Sequence, residues 1–495
     1  MNILPLFVAI PLGSAFLIPL VKGKKFADFW ANLTTSILCL LSLYSIWLIK
    51  ANGMIVCKVG GWMPPAGISL VLDSLTVLFL VTINLIALSA TIYSISYMER
   101  YTAKEKFYCL FLLMVAGMNG VVITGDMFNL FVFLEIASVA SYALVAFGVE
   151  AEELEASFKY MVLCCVASAF ILLGIALLYS CTSSLNMADI STYLSTGGNL
   201  RAISFISILF LVGFGLKSAM VPFHAWLPDA HPSAPAPISA MLSGVLIKAL
   251  GIYAILRIFF SVFGAEPHIL NTLMILGILS MLIGVFLAIG QWDFKRLLAY
   301  HSISQIGYVI LGISLGTPMG ILGGLFHLFN HSIFKSLLFL NSGAVEYFTG
   351  TRNLKRMGGL YRKMPVTAVT SMVASMSISG IPFFNGFWSK LIIILACIKA
   401  GHMVPALLAV IASVLTLASF TKVQRYAFFG EEKETNSIKE VPVPMKVSMI
   451  SLAIICIIGG LLLLPSVQSI FIGTAKDVLV NGKNYAETVM RVINQ

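Results

Sequence analysis

The chain has 495 residues, of which 59% are hydrophobic and only 11% are charged, and its formal net charge is +10. An ordinary soluble domain has roughly a quarter charged residues, so this composition excludes a water-soluble globular fold and predicts an integral membrane protein. We interpret the positive charge as loop charge that orients helices across a lipid bilayer, and we expect no nucleic-acid partner.

Fourteen apolar stretches follow one another along the chain. A helix that crosses a membrane needs about 20 apolar residues, and these stretches meet that requirement or come close to it. They are 2–21, 29–49, 69–96, 107–124, 127–148, 158–181, 203–221, 236–260, 268–290, 297–315, 319–342, 366–400, 403–429 and 446–472. No long polar segment interrupts them, so we predict an all-α polytopic fold of about 14 transmembrane helices, with residues 1–495 forming a single membrane domain.

The distribution of basic residues predicts how the helices are oriented. Lys22, Lys24 and Lys25 follow the first stretch, whereas a cleavable signal carries its charges before the apolar region, so we expect this helix to be retained. Most other Lys and Arg residues lie after stretches 3, 9, 11 and 13. Because basic loops stay in the cytoplasm, an even helix count places both termini on the extracytoplasmic side of the cell inner (cytoplasmic) membrane.

Two of the stretches are interrupted by residues that break helices. Pro222 and Pro228 follow the seventh stretch, and the sequence GIPFFNG occupies 380–386 within the twelfth. Breaks at corresponding places in two halves of a membrane protein are typical of a transport site, although ordinary proline kinks would give the same pattern. We therefore predict a first repeat over 107–260 and a second over 268–429.

Charged residues within the apolar stretches include Glu135, Lys217, Lys248 and Lys390. A charge at the centre of a membrane helix costs roughly 2.5–3.5 kcal/mol, so these side chains are expected to face inward and to pair or contact water. Glu135 and Lys217 have opposite signs and are predicted partners. The pair is either a structural ion pair or a switch, in which the lysine releases its proton when the glutamate moves away.

The eleventh stretch contains His327, His331 and Lys335 at a spacing of four, which places them on one helical face. This spacing also suits a zinc site, but that face has no acidic residue or cysteine. Because histidine exchanges protons near neutral pH, we interpret the row as a proton relay and expect no metal.

Three further histidines are candidates for proton uptake. His224 and His231 flank the second break-forming proline, where they either pass protons to the buried lysines or cap a re-entrant loop, and His301 begins the tenth stretch. The chain has no nucleotide-binding or haem motif, so we expect no cofactor and no redox site of its own. The energy for transport is then expected to come from an ion gradient or from a partner.

These residues lie in long motifs that resemble the antiporter-like subunits of respiratory complex I, membrane-bound hydrogenases and Mrp cation/proton antiporters. The matching segments are GDMFNLFVFLE at 125–135, SFKY at 157–160, LNMAD at 185–189, GLKSAMVPFHAWLPDAHPSAP at 215–235, DFKRLLAYHSISQIGY at 293–308 and GIPFFNGFWSK at 380–390. The resemblance covers nearly the whole chain. It implies inverted five-helix repeats, stretches 4–8 and 9–13, each with a broken helix.

The same resemblance implies a role for each buried residue. Glu135 and Lys217 would form the coupling pair, Lys248 the central bridge, His327 part of the linking row and Lys390 the site of proton release. It also implies other membrane subunits as partners. The tail after Ile472 is too short for the long lateral helix of one complex I subunit, which favours the D-type Mrp subunit or its hydrogenase counterpart.

The sequence leaves three functional hypotheses. The first is a subunit of an Mrp-type cation/proton antiporter. The second is the proton-pumping membrane subunit of a complex I-related redox enzyme, so whether the chain is part of an enzyme stays open. The third is a structural subunit with an inactive channel. Protons are the expected cargo, because lysine and histidine are poor sodium ligands, while sodium movement through the rest of the complex stays open.

Overall fold

The computed structural model describes residues 3–21, 23–196, 200–432 and 439–494, so Lys22 lies outside the described residues. The helices are α1 (Leu6–Leu20), α2 (Lys24–Asn52), α3 (Ser74–Tyr97), α4 (Lys104–Ile123), α5 (Met127–Val145), α6 (Ala151–Thr182), α7 (Met187–Ser195), α8 (Leu200–Lys217), α9 (Leu227–Ser233), α10 (Ala236–Val262), α11 (Pro267–Ile289), α12 (Phe294–Ser314), α13 (Pro318–Thr349), α14 (Leu360–Lys363), α15 (Pro365–Ser379), α16 (Asn385–Lys399), α17 (Met403–Phe428), α18 (Val443–Leu463), α19 (Pro465–Gln468), α20 (Ile472–Val480) and α21 (Asn484–Asn494).

Ten helices in the described part of the chain are long and apolar enough to cross a membrane, and three shorter helices are also apolar. Each predicted stretch overlaps at least one of the observed helices. The prediction of an all-α polytopic membrane protein is therefore confirmed at this level. The count of fourteen spans and the inverted repeats stay predictions.

The third predicted stretch, 69–96, is wrong at its start. Ser69–Leu72 is a β-strand that pairs antiparallel with Ile55–Lys58, with Ile55 opposite Leu72. Helix α3 begins only at Ser74, because the carboxylate of Asp73 accepts a hydrogen bond from the Thr76 backbone amide at 2.8 Å and caps the helix. A short run of branched apolar residues fits a strand and a buried helix equally well, so periodicity does not separate them.

The twelfth predicted stretch, 366–400, forms two helices instead of one. Helix α15 ends at Ser379, Gly380 adopts a left-handed conformation with φ of 76°, and α16 begins at Asn385. Pro382 has no amide hydrogen to continue the helix. A Cβ at Gly386 would overlap the Ser377 carbonyl, so glycine lets α16 pass close to α15.

The centre of the bundle is formed by α10 and α13. Helix α10 is buried along its length and has three segments of wide, π-helical turns, Leu242–Leu246, Lys248–Tyr253 and Arg257–Val262. Such turns leave backbone carbonyls without regular partners and recur at functional sites. It packs closely on α13, because a Cβ at Gly244 would overlap the Ser336 hydroxyl. This contact places the charged residues of both helices in the interior.

Candidate functional site

The predicted partners Glu135 and Lys217 lie in contact between α5 and the end of α8. The lysine Nζ is 3.4 Å from Glu135 Oε1 and donates to the Ser138 hydroxyl at 3.0 Å. The Ser168 hydroxyl of α6 donates to the same glutamate oxygen at 2.5 Å. The Lys217 side chain is 1% exposed, whereas that of Glu135 is 28% exposed. The lysine is therefore held in the interior, and the carboxylate lies at the margin of the protein.

Lys248 lies in the central π-helical part of α10 and is 1% exposed. Its ammonium donates to the carbonyls of Ser243 at 2.7 Å and Gly244 at 2.6 Å, both in its own helix. The Ser243 hydroxyl shares a hydrogen bond of 2.6 Å with Ser302 of α12. Lys248 is thus stabilised by neutral oxygens, and its neighbours connect α10 to the second half of the chain.

The row on α13 faces the interior as its spacing predicts, and His327, His331 and Lys335 are all fully buried. The two histidine rings stack with centroids 6.3 Å apart. Neither ring nitrogen of His331 has a hydrogen-bond partner. Lys335 donates to the Leu298 carbonyl of α12 in a short hydrogen bond. Unpartnered nitrogens in so buried a place indicate room for water, because buried polar groups are otherwise paired.

His327 links this row to the second broken helix. Its Nδ1 shares a hydrogen bond of 2.9 Å with the Ser389 hydroxyl of α16, and its Nε2 one of 3.1 Å with Gln305 Oε1 of α12. Ser389 immediately precedes Lys390 in the chain. The histidine row therefore ends one residue from the last buried lysine.

Lys390 lies beside the break between α15 and α16 and has no acidic residue in contact within the described chain. Its ammonium donates to the Ile378 carbonyl at 2.8 Å and to the Ser413 hydroxyl at 3.3 Å. It also lies 4.8 Å from the centroid of the Tyr308 ring. A carbonyl at a helix C-terminus and an aromatic face both attract a cation, so these groups stabilise the ammonium without a carboxylate.

The three candidate uptake histidines have different surroundings. His231 is fully buried, with neither ring nitrogen hydrogen-bonded, and it contacts Phe339 of α13 edge to face at 5.4 Å. His301 is buried and shares a hydrogen bond of 2.8 Å with the Ser419 hydroxyl of α17. His224 is half-buried in the irregular segment after α8. Of the three, His231 and His301 face the bundle interior.

A polar cavity opens where α12 begins and α13 ends, and we call this the basic end of the bundle. Two adjoining hollows there measure about 370 and 600 Å³, and both are lined by Pro232, Ser233 and Arg352. Lys295 pairs with Glu346 at 2.8 Å within this region. Since Pro232 follows His231 directly, water in the cavity would lie one residue from that ring.

Sequence reasoning missed the most deeply buried ion pair. Arg257 of α10 binds Asp73 through two hydrogen bonds of 2.7 and 2.9 Å, and its guanidinium lies 4.9 Å from the Tyr485 ring of α21. Both charged side chains are at most 2% exposed. The sequence signals were a lone arginine near the end of one apolar stretch and Asp73 near the start of another, with nothing to pair them. The pair ties α3, α10 and α21 together at the end opposite the cavity.

The small polar groups around the site were also missed. Ser138, Ser168, Gln305 and Ser389 all contact a charged or histidine side chain of the site. Serine and glutamine are frequent in membrane helices, where they hydrogen-bond to their own backbone or to neighbouring helices. Their sequence positions therefore carried no distinguishing signal.

Comparisons with known proteins agree with this geometry. Residues 124–416 match the family described as NADH:quinone oxidoreductase/Mrp antiporter, TM, and residues 62–108 match the N-terminus of chain 5 of NADH-ubiquinone oxidoreductase (complex I). The chain is 34% identical to the D subunit of the Na(+)/H(+) antiporter of Alkalihalophilus pseudofirmus over 99% of both proteins. It is 36% identical to the N subunit of the NADH-quinone oxidoreductase of Desulforudis audaxviator over 89% of this chain and 88% of that one.

A solved structure shares the whole fold. A chain of the Mrp complex from a Dietzia species superimposes with a TM-score of 0.91 at 29% identity, covering 99% of each chain. The family match includes the two helices of the Glu135–Lys217 pair and the row on α13. This protein is therefore a multi-pass membrane protein that belongs to the NADH:quinone oxidoreductase/Mrp antiporter family.

Proposed function

We propose that this chain moves protons through the membrane as the D-type subunit of an Mrp-type Na⁺/H⁺ antiporter complex. The observation that carries the proposal is the series of ionisable side chains, all buried except the partly exposed Glu135, that extends from the first broken helix to the second. Its members are Glu135, Lys217, Lys248, His331, Lys335, His327 and Lys390. The likeness to a named D-type antiporter subunit along its full length supports the same function.

The first step of the proposed mechanism is a change in the Glu135–Lys217 pair. The carboxylate is partly exposed and is held by a single serine, whereas the lysine lies in the interior. When Glu135 moves away, Lys217 is left buried with only the Ser138 hydroxyl, and release of its proton becomes favourable. When Glu135 returns, the lysine binds a proton again. The ion pair thus acts as a switch and not only as a structural contact.

The proton then passes to the centre of the protein. Ser218, next to Lys217, packs on Gly251 of α10, one turn from Lys248. Gly244 of α10, one turn before Lys248, packs on Ser336 of α13, which follows Lys335 directly. Waters bound to the free nitrogens of His331 would bridge the remaining gaps, since each can donate and accept. His327 and Ser389 complete the route to Lys390, the proposed release site.

Protons are proposed to enter from the basic end. The polar cavity there reaches the residue after His231, and that ring contacts Phe339, one turn after Lys335 on α13. The basic loops at this end indicate the cytoplasm. With this orientation, both termini would lie outside the cytoplasm. The proposed topology has fourteen spans, with inverted repeats over 107–260 and 268–429. His301 would serve the second half, and His224, which is half-buried, is an alternative entry residue.

A second candidate is the proton pump of a complex I-related redox enzyme, which the 36% identity to the N subunit of a quinone oxidoreductase favours. In that case the same residues would move protons, and neighbouring subunits would supply the redox energy. In both cases the partners are other membrane subunits and lipid. Any sodium pathway would lie elsewhere in the complex, because Glu135 is the main carboxylate of this series.

Proton uptake by the intact complex in proteoliposomes tests the proposal. Lys217→Ala and Lys390→Ala are each expected to abolish uptake driven by an imposed sodium gradient. Lys50→Ala, at the exposed end of α2, is the matched control and should transport normally. Wild-type transport in both buried-lysine variants would overturn the proposal and favour an inactive channel.

Purification of the complex in mild detergent separates the two candidates. Copurifying membrane subunits without iron–sulfur or nickel centres, together with sodium-dependent proton movement, would support the antiporter. Copurifying subunits that contain those centres would replace it with the redox pump.

A further inference from the structure

We infer that a second water-filled path, which rests on the proposed proton transport, runs along α15 from the basic end to Lys390. Four hydroxyl residues lie along α15 at a spacing of four, namely Thr367, Ser371, Ser375 and Ser379, and we call them the hydroxyl stripe. All four are at most 4% exposed. The stripe begins near the surface and ends at the break beside Lys390.

The outer end of the stripe has a carboxylate. Glu440 accepts a hydrogen bond from the Thr367 hydroxyl at 2.8 Å and from the Val366 amide at 2.7 Å. Glu440 itself is half-buried, so one side of it reaches the surface at the basic end. It is therefore placed to exchange protons between bulk water and the first hydroxyl.

The middle of the stripe is bound by a glutamine on the neighbouring helix. Gln424 of α17 donates to the hydroxyls of Ser371 at 3.1 Å and Ser375 at 2.9 Å. Each serine therefore keeps its own hydrogen for another acceptor. The Gln424 Oε1 atom is buried without a partner, and the same is true of the Ser379 hydroxyl. Such unpartnered atoms indicate water, because a buried polar group without a hydrogen bond is costly.

The spacing of the stripe suits single water bridges. Residues four apart on a helix are separated by about 6 Å along its axis, which two hydrogen bonds of about 2.8 Å to one water nearly span. Thr370, off the stripe, faces α13, because its hydroxyl donates to Asn341 Oδ1 at 2.8 Å as well as to the Val366 carbonyl of its own helix at 2.9 Å. Ser371 and Ser375 face α17 instead, where Gln424 binds them.

The inner end reaches a buried lysine and a histidine. The Ser413 hydroxyl donates to the Ser379 carbonyl at 2.9 Å and accepts from Lys390 at 3.3 Å. Ser419 lies one and a half turns before Gln424 on α17, and its hydroxyl shares a hydrogen bond with the His301 ring. The path thus reaches Lys390 through Ser413, and His301 binds the same helix that carries Gln424 and Ser413. Lys390 would therefore bind protons from the basic end, and their release on the opposite side would still require the Glu135–Lys217 pair to switch.

Cysteine labelling in the intact complex tests whether the stripe contains water. In a background without the eight native cysteines, Ser371→Cys, Ser375→Cys and Ala374→Cys are treated with the membrane-impermeant reagent 2-(trimethylammonium)ethyl methanethiosulfonate from either side of the membrane. Ala374 is equally buried but off the stripe, so it is the control. The two stripe positions are expected to react about tenfold faster, and only from the basic end, because thiolate formation requires water.

Transport measurements supply an independent readout. Gln424→Leu should slow proton uptake about tenfold, since one link of the hydrogen-bonded series is lost. Thr416→Val, which removes a buried hydroxyl that bonds only to its own helix at Ala412, should have no effect. Equal labelling at Ala374, labelling only from the opposite side, or normal transport in Gln424→Leu would overturn this inference. The proposed function would survive those outcomes, because it fails only if Lys217 and Lys390 are dispensable.

Discussion

Two buried lysines, one in each half of the chain, lie beside broken helices, yet only one has a carboxylate partner. Lys217 contacts Glu135 at 3.4 Å, whereas Lys390 contacts a carbonyl, a hydroxyl and the face of Tyr308. A carboxylate that moves can change the charge of its lysine, and fixed neutral groups cannot. The first site is thus suited to a switch, and the second is suited to a proton that arrives and leaves by diffusion.

Charge reversal at the first lysine should have the largest effect. Lys217→Glu places a second carboxylate beside Glu135 in a buried position, where like charges repel strongly. We expect proton uptake by the reconstituted complex to fall about 100-fold or more. Lys50→Glu, at the exposed end of α2, is the control for added negative charge. Retention of most of the transport would show that the two sites do not differ as proposed.

The same reversal at the second lysine should be tolerated better. In Lys390→Glu no carboxylate is in contact, and a protonated glutamic acid can donate to the Ile378 carbonyl as the lysine does. Proton uptake in the same assay is expected to fall by at most about tenfold, which is the size of effect that one altered hydrogen bond gives. A complete loss, equal to that of the Lys217 variant, would remove the distinction between the sites.

Removing the aromatic face beside Lys390 should have a smaller effect. Tyr308→Leu loses the cation–π contact, worth on the order of 1 kcal/mol, so uptake should change only a few-fold. Tyr308→Phe keeps the ring and loses only the hydrogen bonds of its hydroxyl, to the Ala409 carbonyl and to Ser413, and it serves as the control. If the two variants behave alike, the ring does not stabilise the ammonium.

The Asp73–Arg257 pair should show the smallest effect on transport and a large one on stability. Asp73→Asn keeps the cap of α3 but leaves the Arg257 guanidinium buried without a negative partner. The free energy of unfolding should fall by about 3–5 kcal/mol, measured by thermal unfolding in detergent. The folded fraction should transport at nearly the wild-type rate. Glu135→Gln is expected to do the reverse, since that carboxylate is partly exposed.

Some features of this site were predictable because they follow from the lipid bilayer that surrounds the protein. A charge in an apolar stretch must face inward, so the burial of Lys217, Lys248 and Lys390 could be expected from their positions in the sequence. The row of His327, His331 and Lys335 was also predictable, because its spacing follows from helix geometry. The functional roles of these residues stay predictions.

Other features could not be predicted, because they depend on contacts between distant segments. The Asp73–Arg257 pair joins residues 184 positions apart, and Gln424 meets Ser371 53 positions away. The strand at Ser69–Leu72 was assigned to a helix because its partner strand lies outside the local pattern.

The amino-acid sequence alone determined that this is a helical membrane protein with buried ionisable groups, because a bilayer core forces apolar composition and inward-facing charge. Tertiary structure alone decided which groups stabilise each charge. Two lysines with similar sequence surroundings received different partners, a carboxylate at 3.4 Å for Lys217 and a helix-end carbonyl at 2.8 Å for Lys390. Those partners come from helix packing, which short-range sequence patterns do not specify.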